Sequence, residues 1–146
     1  MPIKTFRGKI ADEAQDTITL HTNNGMTGYR IVKFELFPSN PGSDAQESVV
    51  KIFTVAQTTI TSTVDFAKAT LLAAGYLALN TAAYYGNDYI TIFDNIIVNQ
   101  DLTITHKDVS GSKAVNYYIE LEQVKLDLNE NTVATLKDIR NVTDGL

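Results

Sequence analysis

The stretch Val115-Asn116-Tyr117-Tyr118-Ile119-Glu120-Leu121-Glu122-Gln123-Val124-Lys125-Leu126-Asp127-Leu128 is the longest strand candidate in the chain. Successive side chains of a strand point to opposite faces. Tyr117, Ile119, Leu121, Gln123, Lys125 and Asp127 therefore share one face, and Tyr118, Glu120, Glu122, Val124, Leu126 and Leu128 the other. The apolar side changes near Gln123, which predicts a bulge or a crossing between sheets.

The same period of two recurs upstream. Ile3 to Ile10 alternates imperfectly, and Thr17 to His21 cleanly, with Ile18 and Leu20 on one face. Asn23-Asn24-Gly25 follows, and Asn-Gly favours the positive φ of a tight turn. Gly25 is thus expected to bend the chain between paired strands, the second running from Tyr29 to Phe37. Pro38-Ser39-Asn40-Pro41-Gly42-Ser43 is a loop, because proline withholds a ladder donor. Ser48 to Val55 reads as a strand with Val50, Ile52 and Phe53 as its candidates for burial. Gln57 to Asp65, rich in Thr and Ser, fits a loop or an edge segment with a solvated face. Phe66 to Leu79 contains good helix formers, but Gly75 interrupts it and no polar face recurs at helical spacing. A buried strand from about Thr70 to Leu79 is favoured over a helix. Tyr89 to Phe93 and Leu102 to His106 alternate, the latter with Leu102, Ile104 and His106 on one face. Capping residues Asn129 to Thr132 precede Val133, Leu136 and Ile139 at helical spacing, which predicts a short C-terminal helix. The fold class expected is all-β, an antiparallel β-sandwich or jelly roll of about eight strands with that helix. Residues 1–146 form one domain, as no linker, repeat or low-complexity tract divides them.

Composition excludes several functions. The chain has 146 residues, 44% of them hydrophobic and 20% charged, a globular balance. Twelve Lys and Arg against seventeen Asp and Glu give a net charge of -5, with no basic run. Nucleic acid or an anionic membrane surface would call for clustered positive charge. No apolar signal core follows Met1, and Leu71 to Leu79 is too short to span a bilayer, so a soluble protein is expected. Cysteine is absent, so no disulfide or thiolate-metal site supports the fold.

Chemistry-bearing patterns are sparse. His21 and His106 lack the spacing of metal-ligand pairs and read as strand-face residues. Asp94, Asp101 and Asp108 recur every seven residues, but the alternating Asp/Asn-to-Gly calcium loop is missing. Calcium bound by loop oxygens stays open. Glu120 and Glu122 share a strand face, where a solvated face or a cross-strand ion pair is the ordinary role. No nucleophile elbow, phosphate loop or dinucleotide fingerprint occurs. Asn141-Val142-Thr143 matches a glycosylation acceptor, with no secretory signal to give it meaning. No catalytic residue, cofactor or metal site is expected. Tyr76, Tyr84, Tyr85 and Tyr89 cluster around the Asn80 to Asp88 segment. Tyr84, Tyr85 and Tyr89 are the candidate interaction surface, able to stack on sugars or anchor a protein interface, unless they pack at strand ends. Thr54 to Thr63 is either an exposed strand or one that pairs with a neighbouring subunit.

The run Asn116 to Leu126, followed by Thr132-Val133-Ala134-Thr135-Leu136-Lys137-Asp138-Ile139-Arg140-Asn141, resembles small virion structural proteins of marine tailed bacteriophages, of the capsid decoration or cement type. So do the opening Lys4-Thr5-Phe6-Arg7-Gly8-Lys9-Ile10 and Gln15-Asp16-Thr17-Ile18, and the likeness runs nearly end to end. It contains no site motif, so no functional residue transfers with it. The resemblance implies a virion protein assembled in the host cytoplasm. Its partners would be the major capsid protein or other virion proteins, with a homo-oligomer expected. Residues Met1 to Ile10 and Asp138 to Leu146 would be the segments able to clamp a neighbour by strand addition. The alternative expectation is a carbohydrate-binding or host-attachment module of a head fibre or tail, with glycan held by the tyrosines.

Overall fold

The computed structural model describes residues 2–22, 25–41, 45–79 and 88–126. These form eight strands: β1 (Ile3–Ile10), β2 (Ala14–Ile18), β3 (Thr27–Pro38), β4 (Gln46–Phe53), β5 (Leu71–Leu79), β6 (Asp88–Phe93), β7 (Leu102–Asp108) and β8 (Val115–Lys125). All pairings are antiparallel. They build a three-stranded sheet in the order β1-β8-β3 and a five-stranded sheet in the order β2-β7-β4-β5-β6. The expected all-β sandwich is the architecture found. The C-terminal helix expected from about Thr132 to Asn141 lies outside the described residues.

The pairs β1–β8, β2–β7 and β4–β5 nest inside one another, as in the winding of a jelly roll. The pair that would complete the series, β3 with β6, is reduced to a side-chain bridge. Tyr89 of β6 accepts a hydrogen bond from the Leu36 backbone N–H at 3.0 Å and donates to Glu35 Oε2 at 2.7 Å. The ladder of β6 goes to β5 instead, which leaves β6 at the edge of the larger sheet.

Alternation decides which face of each strand is buried. Val50, Ile52 and Ile104 of one sheet and Val115, Ile119 and Leu121 of the other have no exposed surface. The sheets approach closely where β5 lacks a side chain. A Cβ at Gly75 would stand 2.8 Å from Leu36 Cδ1 and 3.1 Å from Phe34 Cε2. Gly75 therefore seats the ring of Phe34, 1% exposed, against the β5 backbone. The same glycine that interrupts the helical reading is what a strand needs here.

Three expectations are corrected. Asn23-Asn24-Gly25 does not join paired strands: β2 pairs with β7, and β3 with β8. A bend exists, with Gly25 at φ 65° and its N–H donating to the Thr22 carbonyl at 3.3 Å. It carries the chain from one sheet to the other, so that Ile18 and Tyr29 line opposite walls of the core. Local turn chemistry bends the chain but does not choose strand partners. The register shift expected near Gln123 falls on the partner strand, between Ile31 and Lys33 of β3. Val32 is the extra residue; just past the end of β8, Leu126, 1% exposed, lies beside Gly28 and Ile97. Finally, β3 with 12 residues is longer than β8 with 11.

Truncation of Phe34 to alanine is expected to cost ~3–5 kcal/mol in urea unfolding. Gly75→Val should cost ~1–3 kcal/mol despite valine's better strand propensity. That loss should shrink in a Phe34→Leu background, because the two positions share one contact.

Candidate functional site

At one end of the sandwich the chain passes between the sheets three times: from β1 to β2, from β3 to β4 and from β7 to β8. Crossings strand backbone groups that no ladder satisfies, and buried side chains take them up here. His106 of β7 is fully buried. Its Nδ1 lies 3.1 Å from the carbonyl oxygens of Ile10 and of Ala11, both acceptors, so Nδ1 carries the proton. Nε2 then accepts from the Ser48 hydroxyl at 2.8 Å, and Ser48 Oγ accepts from Gln46 Nε2 at 2.7 Å. Gln46 Nε2 also donates to the Ala114 carbonyl at 2.8 Å. Burial holds the imidazole below its ordinary pKa, against the opposing pull of the two carbonyls and of Asp12 and Asp108.

Asp108 completes the end. Its carboxylate accepts from the N–H groups of Glu47 (3.1 Å), Ser110 (3.1 Å) and Lys113 (2.7 Å) and from Ser110 Oγ. Burial works to raise its pKa, and these donors outweigh it, leaving the carboxyl below the ordinary range. The Asp108 N–H in turn donates to Asp12 Oδ1 at 2.7 Å. Ser48 beside His106 looks like a nucleophile and base, a pairing that sequence spacing did not show. Yet the hydroxyl is fully buried, the imidazole's other nitrogen faces carbonyls rather than a carboxylate, and substrate has no path to Oγ. The cluster is a structural junction.

The other singled-out residues are dispersed. His21 Nδ1 meets Asp101 Oδ1 at 2.7 Å on the surface, and the same oxygen accepts from the N–H groups of Leu20 and His21. Burial opposes and these donors dominate, so the Asp101 carboxyl lies below its ordinary pKa. Structure does not bring His21 and His106 together. Asp94, Asp101 and Asp108 do not converge either, and among the described residues no group of three His, Asp or Glu could hold a metal ion. Glu122 forms a cross-strand ion pair with Arg30, its register partner, and Glu120 accepts from Tyr118 at 2.7 Å. Asn141 lies outside the described residues.

Of the candidate tyrosines, Tyr84 and Tyr85 lie outside the described residues. Tyr89 is 45% exposed, and its hydroxyl is engaged by Leu36 and Glu35 as above. Tyr76 donates to Glu47 Oε2 at 2.7 Å.

What sequence reading missed is an apolar strip on the outer face of the five-stranded sheet. Residues 54–70 do not form a strand; they lie over that face. From 61 to 66 the side chains divide alternately between two hollows. Thr61, Thr63 and Asp65 line one hollow, while Ser62, Val64 and Phe66 line another with Val49, Ala74, Tyr76, Ile90, Ile92 and Val109. The second hollow, about 430 Å³, is bordered by Phe66 (65% exposed), Ile90 (54%), Val109 (49%), Ile92 (46%) and Val64 (38%). These are five of the nine exposed large apolar side chains among the described residues, gathered on one face. Tyr89-Ile90-Thr91-Ile92-Phe93 is apolar on both faces of β6, and that is the signal from which the strip was legible. A larger hollow of about 720 Å³ on the three-stranded sheet is walled by Arg7, Lys33, Glu35, Phe37 and Tyr118, an ordinary mixed-charge surface.

Edge chemistry singles out the same place. Natural sheets guard their edges with charge. β1 carries Lys4, Arg7 and Lys9, β2 carries Asp16, and β3 carries Lys33, Glu35 and the bulge at Val32. β6 carries no charge between Tyr89 and Phe93.

The His106 junction predicts a pH response. The folded protein keeps His106 neutral, while the unfolded chain takes up a proton as the pH falls through about 6.5. Stability is therefore complete above that pH and declines below it, by up to ~1.4 kcal/mol per pH unit until the folded pKa is passed. Depressed Asp101 and Asp108 act in a lower window, losing their contribution only below the ordinary carboxylate pKa. Urea unfolding at pH 7.5 and pH 5 should show the decline in the wild type. His106→Gln should be less stable at pH 7.5 by ~1–3 kcal/mol and lack that part of the decline.

No protein-family model matches the chain, and no curated protein matches it either.

Proposed function

We propose that the chain is a virion structural protein, a capsid decoration subunit that stabilises a phage head by protein–protein contact. The observation that carries the reading is the apolar strip of Val64, Phe66, Ile90, Ile92 and Val109 beside the unguarded edge strand β6. Contiguous exposed apolar surface on a rigid domain marks an interaction site. Fully covering such side chains contributes ~1.5–3 kcal/mol each before ordering costs.

The partner of this strip is the capsid shell. The resemblance of Lys4 to Ile10 and Asn116 to Leu126 to virion structural proteins supports that choice. Net charge of -5 suits the outside of a particle better than contact with packaged DNA. Residues 3–10 are already committed to β1, hydrogen-bonded to β8, so strand addition by this segment would use its outer edge rather than a loose arm. Asp138 to Leu146 lies outside the described residues. Contact of this kind needs no catalytic group and no cofactor.

Co-sedimentation with purified capsid shells tests the proposal. The wild-type chain should pellet with the shells at a saturating stoichiometry. Ile90→Lys combined with Ile92→Lys should weaken that binding at least tenfold, with the unfolding midpoint near that of the wild type because both side chains are half-exposed. Absence of the protein from purified particles, or equal binding by the double variant, would overturn it.

A further inference from the structure

The hollow on the other side of residues 61–66 is different in chemistry. Its volume is about 560 Å³, within the usual range for small-molecule sites. Lys51 stands on β4 between Val50 and Ile52, pointing to the outer face and only 6% exposed. Its Nζ lies 5.5 Å from the centroid of the Phe53 ring, and Lys68 Nζ lies 5.5 Å from the same centroid. Two ammonium groups thus share one ring and one cavity. Lys51 donates to the Thr63 carbonyl at 2.7 Å, and Lys68 reaches Gln57 Oε1 at 3.5 Å. Neither forms an ion pair among the described residues, although the chain is acidic overall. Each ammonium has three donors, so several remain for a ligand.

The rest of the wall is polar and held in place. Thr58, Thr59, Thr61 and Thr63 line it. Gln57 is clamped by Gln15, which donates to its carbonyl at 2.8 Å and accepts from its N–H at 3.0 Å. The carboxylate on the wall, Asp65, accepts from the Ala67 N–H at 3.0 Å. Beside the site, Thr105 is the cross-strand neighbour of Lys51, and its hydroxyl is buried without a partner. Connections as long as 54–70 without regular structure are uncommon and usually serve a function. Burial, and then the charge of Lys68, hold the Lys51 ammonium below its ordinary pKa.

We propose that Lys51 and Lys68 form an oxyanion-binding site, taking a carboxylate, sulfate or phosphate group between the two ammonium ions with the threonine hydroxyls as further partners. An oxyanion there would relieve the repulsion between the lysines and use their remaining donors in charge-assisted hydrogen bonds. The site stands apart from the apolar strip and does not depend on capsid binding.

The test is an NMR titration of the full chain with sodium phosphate, sodium sulfate and sodium glucuronate, each at constant ionic strength set by chloride. Saturable shifts of the Thr61, Thr63 and Lys68 amides are expected. Lys68→Gln should weaken the apparent affinity at least tenfold, and Lys51→Met should do the same while keeping the packing of its stem. Response to all three anions supports a general oxyanion site. Response to glucuronate alone supports a carboxylated sugar as its source, and response to phosphate and sulfate alone a tetrahedral anion. Non-saturable shifts shared with chloride, or unchanged affinity in Lys68→Gln, would overturn the proposal.

Discussion

The buried imidazole of His106 is the constraint on which the closed end of the sandwich depends. Three chain crossings meet there, and those after β1 and β7 leave backbone carbonyls or amides without a ladder partner. A buried unsatisfied group costs ~1–3 kcal/mol. The neutral ring joins the carbonyls of Ile10 and Ala11 to Ser48, and Ser48 leads through Gln46 to the Ala114 carbonyl. Asp108 performs the equivalent service for amides at residues 47, 110 and 113. With these groups satisfied, the apolar strand faces close on one another, and Gly75 admits Phe34 at the tightest approach. His106 and Asp108 therefore serve the architecture, although their types would also suit a metal or a hydrolase.

A rigid interior of this kind leaves function to the outer surfaces. Residues 54–70 divide the outside of the larger sheet into two regions of opposite character. On one side Val64 and Phe66 extend an apolar strip toward Ile90 and Ile92; on the other, threonines border two lysines that form no ion pair among the described residues. The transfer of β6 from β3 to β5 is what exposes the first region. Had β6 paired with β3, Ile90 and Ile92 would lie on the smaller sheet, away from Val64 and Phe66.

Much of the fold was legible because alternation is a local property. β1, the buried strand after Thr70 and the inward row Leu102, Ile104, His106 all follow from period two and from Gly75. Strand partnership was not legible at Asn23-Asn24-Gly25, since a tight turn can equally close a hairpin or carry the chain across the core. The candidate site was legible in part. Tyr89 stands half-exposed as a contact residue would, but its hydroxyl is already used by Glu35 and Leu36. Val64, Phe66 and Val109 escaped notice because single apolar residues in a Thr-rich or turn segment look incidental; only the covering of one sheet face by residues 54–70 assembles them. Lys51 likewise reads as an interruption in an apolar strand until Lys68 and Phe53 are placed beside it.

Hydrogen–deuterium exchange of the protein alone and on capsid shells tests the central claim most directly. Tyr89, Thr91 and Phe93 belong to an edge strand, so their amides are the most sensitive to a neighbour. Slowed exchange over residues 62–66 and 88–93, with residues 33–37 and 116–118 unchanged, is the expected result. Protection confined to the three-stranded sheet, or no protection anywhere, would contradict the assignment of the apolar strip as the contact surface.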